Sequence, residues 1–165
     1  MAFTFNVCEV FEVAEQAERN SAKFCRRVAD KCRDSHTRQV LLQLAEREEG
    51  HAAGFAAIRK ELSERGECPP TAFDPEGEDA LYLQAMADDH VFNVRQDPCE
   101  RLTGGESPEQ ILQMAVELEK EALAFYLGLK ATVPTASGKD KVEIIIKAKM
   151  RHIGILNLEL TGLNK

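Results

Sequence analysis

Long apolar runs are missing from the 165-residue sequence: none extends beyond a few positions, well short of the roughly 20 residues that a membrane-spanning helix needs. The opening residues Met1, Ala2, Phe3, Thr4 and Phe5 lack the basic start and apolar stretch of a signal peptide. A soluble, cytoplasmic protein is therefore the expectation. A clustered basic face is also missing. The 21 Lys and Arg residues are mixed with 28 Asp and Glu along the whole length, for a net charge of −7. That distribution argues against a nucleic-acid or anionic-membrane partner, which would favour concentrated positive charge. No Cys-x-x-Cys pair occurs, and the five cysteines (Cys8, Cys25, Cys32, Cys68, Cys99) are odd in number and scattered. Neither a thiolate metal knuckle nor a disulfide framework is indicated. Cys25 and Cys32, seven apart on one helical face, read as small packing hydrophobes.

What the sequence does contain is helical periodicity, broken at well-marked points. The length suits one domain, residues 1–165. Asn6 and Glu9 are spaced as a capping box, with Phe5 and Val10 as a hydrophobic staple, and start a first helix over about 6–33. Asp34 and Ser35 permit a tight turn into a second helix over 35–65, which stops at Gly66 and cannot resume through Cys68, Pro69 and Pro70. Residues 66–107 hold most of the prolines and one short helical pattern over 78–94, and so read as a long crossover. Ser107, Pro108 and Gln110 supply an N-cap, a proline at the first helical position and a capping-box glutamine for a third helix over 107–133. A fourth runs over 138–160. The order of short connection, long crossover, short connection predicts an all-α, ferritin-like four-helix bundle of two hairpins, with a short extra helix in the crossover.

The seams of these helices carry polar residues where a core is expected. Read at spacings of three and four, the second helix presents Leu41, Leu44, Glu48, His51, Phe55, Ile58 and Leu62. The third presents Leu112, Ala115, Glu119, Ala122, Tyr126, Leu129 and Val133, and the first Val7, Phe11, Ala14, Glu18, Ser21, Cys25 and Val28. The fourth presents Val142, Ile145, Lys149, His152, Leu156 and Leu160. A buried carboxylate or imidazole costs several kcal/mol unless it is paired or bound to a metal. One or two per helix, on four helices, need a shared partner. Glu18 and Glu119, Glu48 and Lys149, His51 and His152, and Phe24 and Phe125 are each 101 positions apart. The hairpins thus align without insertion, as an internal duplication would leave them, and a pseudo-twofold axis would gather the polar positions at one level.

On these residues (Glu18 with Phe24, Glu48-Glu49-Gly50-His51, Glu119-Lys120-Glu121 leading to Phe125-Tyr126, and Lys149-Met150-Arg151-His152) the chain resembles the rubrerythrin-like branch of the ferritin-like superfamily over nearly its full length. The family's pattern is one glutamate from each of two helices and a Glu-x-x-His from each of the other two. The resemblance implies metal ligation by Glu18, Glu48, His51, Glu119 and His152. It further implies iron, with manganese or zinc as alternatives, redox reactivity toward peroxide or dioxygen, and a homodimer as a common assembly.

Lys149 departs from the pattern, since the family has a bridging glutamate there. Four carboxylates balance two divalent ions, and three carboxylates balance one divalent ion plus one ammonium. The expectation is that Lys149 takes or neighbours the second metal position and pairs with Glu119 or Glu18, leaving one ion bound mainly by Glu48 and His51. Two ions, or a metal-free salt-bridged core, remain open alternatives. The sequence has no rubredoxin-type pair of Cys-x-x-Cys motifs, so redox turnover would need an external electron donor. Ala122 stands where rubrerythrins have a further glutamate, which argues against their peroxidase route.

Other residues carry weaker signals. Tyr126, two turns from Glu119 on the same face, reads as core packing with its hydroxyl satisfied, or as a donor to the ligands or a radical-quenching phenol. His90 after Asp88 and Asp89 reads as part of a solvated face, His36 as exposed, and Glu121 and Glu159 as surface or edge residues. Tyr82, Leu83, Met86 and Phe92 in the crossover would cover the bundle or form a dimer contact. Two functions remain: a metal-dependent redox protein, or a non-catalytic metal carrier, sensor or scaffold with a degenerate site.

Overall fold

In the computed structural model, which describes residues 7–68, 103–132 and 136–163, four helices follow one another. They are α1 (Val7–Lys31), α2 (Ser35–Glu64), α3 (Pro108–Thr132) and α4 (Ala136–Leu163). The helix forecast over 78–94, the Asn6 and Phe5 start signals, His90 and the crossover aromatics lie outside the described residues. Helices α1 and α2 pack as one hairpin and α3 and α4 as the other. Among the described residues no helix is long and apolar enough to cross a membrane.

Local chemistry sets the helix ends. The Asp34 carboxylate accepts the Thr37 backbone N–H at 2.7 Å, so Asp34 caps α2 as well as turning the chain. At the other end of α2, Gly66 adopts a φ of +70°. The Gly66 N–H reaches the Ser63 carbonyl and the Glu67 N–H the Leu62 carbonyl, the paired reversal of a Schellman turn. The capping box before α3 forms in both directions: Ser107 N–H donates to Gln110 Oε1 at 2.8 Å, and Gln110 N–H to Ser107 Oγ at 3.2 Å.

Where their side chains are described, the forecast seams face the core, with Ile58 and Leu160 only partly buried. Phe11, Phe55, Leu41, Leu112, Tyr126, Val28 and Leu156 are among its most deeply buried side chains, and Phe11 meets Phe55 with ring centroids 5.7 Å apart. Phe24 and Phe125, the paired aromatics of the two hairpins, are both buried. Cys25 and Cys32 are buried thiols in this core, as the periodicity implies.

The cysteine reading needs one correction, because Cys8 and Cys68 form a disulfide across a sequence separation of 60. Two features of the hairpin bring them together. Beyond the Phe11–Phe55 contact, one turn further on each helix, Cys8 and Arg59 come level. The Gly66 turn then folds the chain back, so that Cys68 Sγ lies 4.0 Å from the Arg59 carbonyl oxygen. Scatter along the sequence concealed this proximity.

Candidate metal centre

Each helix delivers its seam residue to one level of the bundle: Glu18 from α1, Glu48 and His51 from α2, Glu119 from α3, Lys149 and His152 from α4. Glu18, Glu48, Glu119, Lys149 and His152 are buried, whereas the His51 side chain keeps 23% of its exposure. Two groups of ligand atoms converge, Glu18 with Glu48 and His51, and Glu48 with Glu119 and His152, and Glu48 belongs to both. The His51 and His152 rings, 101 positions apart in the sequence, stack with centroids 5.5 Å apart.

The two groups differ in how well they are satisfied. In the first, the Lys149 ammonium donates to Glu48 Oε2 at 2.6 Å and lies 3.1 Å from Glu18 Oε1. His51 Nδ1 bonds to Glu18 Oε2 at 3.0 Å. The Tyr126 hydroxyl donates to Glu18 Oε1 at 2.7 Å, with the Ala14 carbonyl at 3.3 Å. Tyr126 is thus both a core aromatic and a support for a candidate ligand. In the second group, Glu48 Oε1, Glu119 Oε2 and His152 Nδ1 are buried and have no hydrogen-bond partner among the described residues. They nevertheless crowd together: His152 Nδ1 is 2.9 Å from Glu48 Oε1 and 3.4 Å from Glu119 Oε2. Lys149 reaches toward this side only at 3.7 Å from Glu119 Oε2.

These spacings fit one bound cation. Nitrogen and oxygen donors about 2.0–2.2 Å from a common ion lie roughly 3–3.5 Å from each other. Buried polar atoms that approach this closely without hydrogen-bond geometry are otherwise costly. The arrangement differs from the expected division in one respect. Lys149 lies 3.1 Å from Glu18, one of its two expected partners, but it donates its hydrogen bond to Glu48, and with Glu18 it satisfies the half that contains His51. The open valences belong to Glu48, Glu119 and His152.

Charge coupling runs through the whole cluster. Burial opposes the ammonium of Lys149, but three carboxylates outweigh it and raise its pKa well above the ordinary lysine value. Burial would raise Glu48, yet Lys149 and the surrounding polar groups hold it well below the usual carboxylate range. Glu18 moves the other way, because burial and the Glu48 charge exceed the effect of Lys149. His51 is pushed up to about 9: burial disfavours its charged form, but Glu18 and Glu48 prevail. His152 is raised for the same reason by Glu119 and Glu48. Burial beside Glu18 raises the Tyr126 phenol far above its ordinary value, which keeps it protonated as a donor.

Among the described residues, His36, Glu121 and Glu159 fall outside the cluster, as expected. His36 is exposed, as expected, but bonds to Glu159 at 2.7 Å and so ties the start of α2 to the end of α4. Glu121 is exposed. A small cavity of about 40 Å³ between α2 and α4 has Val40, Leu44, Arg47, His152, Leu156 and Glu159 in its wall. It gives His152 a side open toward the surface that sequence periodicity did not reveal.

No model of a known protein family matches the chain, and no curated protein matches it either. Among solved structures, it is similar to a crystal structure of a Thermotoga maritima protein described as a ferritin-like diiron-carboxylate protein. The two are 19% identical, the alignment covers 100% of each chain, and the TM-score is 0.61. At that identity the likeness speaks for the fold: the chain has the all-α, ferritin-like four-helix architecture.

Proposed function

We propose that this chain is a metal-binding protein that holds one divalent ion between Glu48, Glu119 and His152, with Lys149 standing in for a second. The convergence of three buried ligand atoms that make no regular hydrogen bond, Glu48 Oε1, Glu119 Oε2 and His152 Nδ1, carries this reading. Hard oxygen donors with one imidazole suit iron or manganese and also accept zinc. A redox-active ion held there would supply an exchangeable position for peroxide or dioxygen. The Glu and His pattern supports a rubrerythrin-like type, and turnover would draw on an external electron donor.

The chain's own residues prepare the site. Lys149 neutralises the shared carboxylate Glu48 from the side facing Glu18, so that Glu48 Oε1 stays available. Tyr126 and His51 hold Glu18 in place from two directions. The cavity of about 40 Å³ beside His152 is large enough for a water-sized molecule.

The second reading is a carrier, sensor or scaffold with a salt-bridged core. Its support is Lys149, whose ammonium lies within 3.7 Å of three carboxylates and satisfies half of the cluster without any ion. Two measurements separate the readings. Plasma mass spectrometry of protein purified without chelator should give one ion per chain, and two for Lys149→Glu. Iron-loaded protein should consume peroxide faster than free iron; equal rates with one bound ion would leave the carrier or sensor, and no bound ion would leave the scaffold.

A further inference from the structure

The Cys8–Cys68 disulfide lies apart from the ion-pair cluster, and the metal reading makes no use of it. It forms part of the wall of an open cleft of about 430 Å³, shared with Arg59, Lys60, Ser63 and Glu64. The two sulfurs are not equivalent. Cys8 is 8% exposed and sits in the first turn of α1, where the helix N-terminus favours a thiolate. Cys68 is half-buried, follows the C-terminus of α2 and lies near the Arg59 carbonyl, an environment that disfavours one. An attacking thiolate therefore has better access to Cys68, and Cys8 is the better leaving group.

The charges of the cleft define the attacker. Arg59 is engaged by Glu12 and Glu15 at 3.2 and 3.0 Å. Among the described residues Lys60 has only Glu64, at 3.9 Å, and 78% of its side chain is exposed. Its ammonium is thus available to an anionic molecule that enters the cleft.

We propose that Cys8–Cys68 is a thiol-exchange site for a small, carboxylate-bearing peptide thiol. In the first step the incoming thiolate sulfur bonds to Cys68 Sγ, the Cys8–Cys68 bond breaks, and its electron pair leaves on Cys8 Sγ, which takes a proton from solvent. A second molecule of the thiol attacks the mixed disulfide at its own sulfur, releasing Cys68 as a thiolate that is then protonated. Two thiols become one disulfide, and the protein disulfide gains two electrons and two protons. Exchange frees the start of α1 from the segment that follows α2. The proposal is independent of metal binding.

The test uses glutathione on the full chain, read by intact mass and peptide mapping. With reduced glutathione and a rapid acid quench, the mixed disulfide caught on the wild-type chain should carry glutathione on Cys68 about tenfold more often than on Cys8. With reduced glutathione, Lys60→Gln should slow opening of the wild-type disulfide by roughly threefold, while leaving opening by neutral 2-mercaptoethanol unchanged. Equal or reversed occupancy of the two cysteines by glutathione, or a disulfide that opens only in urea, would overturn the exchange site. A Lys60→Gln effect that is absent, or the same for both thiols, would overturn the anionic partner.

Discussion

Lys149 Nζ lies 2.6 Å from Glu48 Oε2, joining residues 101 positions apart that occupy equivalent places in the two hairpins. Both are wholly buried. Where a symmetric pair of glutamates would face each other and attract two ions, the chain puts an acid against a base. The pair leaves the ligand atoms that make no regular hydrogen bond on one side of the centre, at Glu48, Glu119 and His152.

Removing the ammonium should therefore be costly only in the absence of metal. Lys149→Met leaves Glu18, Glu48 and Glu119 buried around no fixed cation, and a broken buried pair of this kind costs about 3–5 kcal/mol. Urea unfolding of the metal-free variant should show that loss, and excess Mn²⁺ or Zn²⁺ should restore most of it. An unchanged midpoint would mean that the carboxylates are neutralised by protons instead.

The histidines set the pH dependence. His51 rises to about 9 and His152 is also raised, so in the metal-free fold both bind protons more tightly than in the unfolded chain. Their contribution is fully present below the unfolded value of roughly 6.5 and is lost as pH rises through the folded values, near 9 for His51. Metal binding at His152 displaces its proton, so affinity should increase with pH, up to about tenfold per unit below the folded His152 value. Calorimetry across pH 6–9 in buffers of different ionisation enthalpy checks this; pH-independent affinity without proton release would exclude His152 as a ligand.

Tyr126→Phe tests the support of Glu18. The substitution keeps the ring that packs against Phe55 and Phe125 and removes only the donor to Glu18. Loss of a buried bond to a carboxylate should cost about 1.5–3 kcal/mol. Metal stoichiometry should stay the same, because Glu18 belongs to the satisfied half. A variant as stable as wild type, by urea titration, would show that water or Lys149 replaces the hydroxyl.

How much of this was legible follows from the kind of signal each residue gives. Spacings of three and four placed Glu18, Glu48, Glu119, Lys149 and His152 in the core, because helix geometry converts sequence period directly into a buried face. The same period placed His51 on the seam, although it retains partial exposure. The seam could not say which carboxylate the flexible Lys149 side chain would reach, and that choice decides which half of the cluster stays open. The His36–Glu159 link and the cavity beside His152 depend on how the hairpins meet, which no single-helix pattern contains. Cys8 and Cys68 were read apart because their meeting requires both the hairpin register and the reversal at Gly66.

The disulfide should be a strong contributor to stability when oxidised. A cross-link closing about 60 residues removes roughly 4 kcal/mol of unfolded-chain entropy in the loop-closure model. Cys8→Ser with Cys68→Ser should therefore lower stability by about 2–4 kcal/mol relative to the oxidised wild type, and much less relative to the reduced one. If oxidised and reduced wild type unfold at the same denaturant concentration, the bond constrains nothing that unfolding releases.

Gly66 links the helix end to that bond. Its φ of +70° disfavours any residue with a Cβ, although no atom of the described residues lies within 4 Å of where the Cβ would stand. Gly66→Ala should thus act through the backbone alone, at a cost of about 1 kcal/mol. Because the turn returns Cys68 to the level of Arg59 and Cys8, the substitution should also slow disulfide formation from the reduced protein. Measuring both effects separates two roles. A stability loss without slower oxidation would mean that α2 needs the glycine only as a cap, whereas loss of both would mean that one backbone conformation ends the helix and presents the cysteine to its partner.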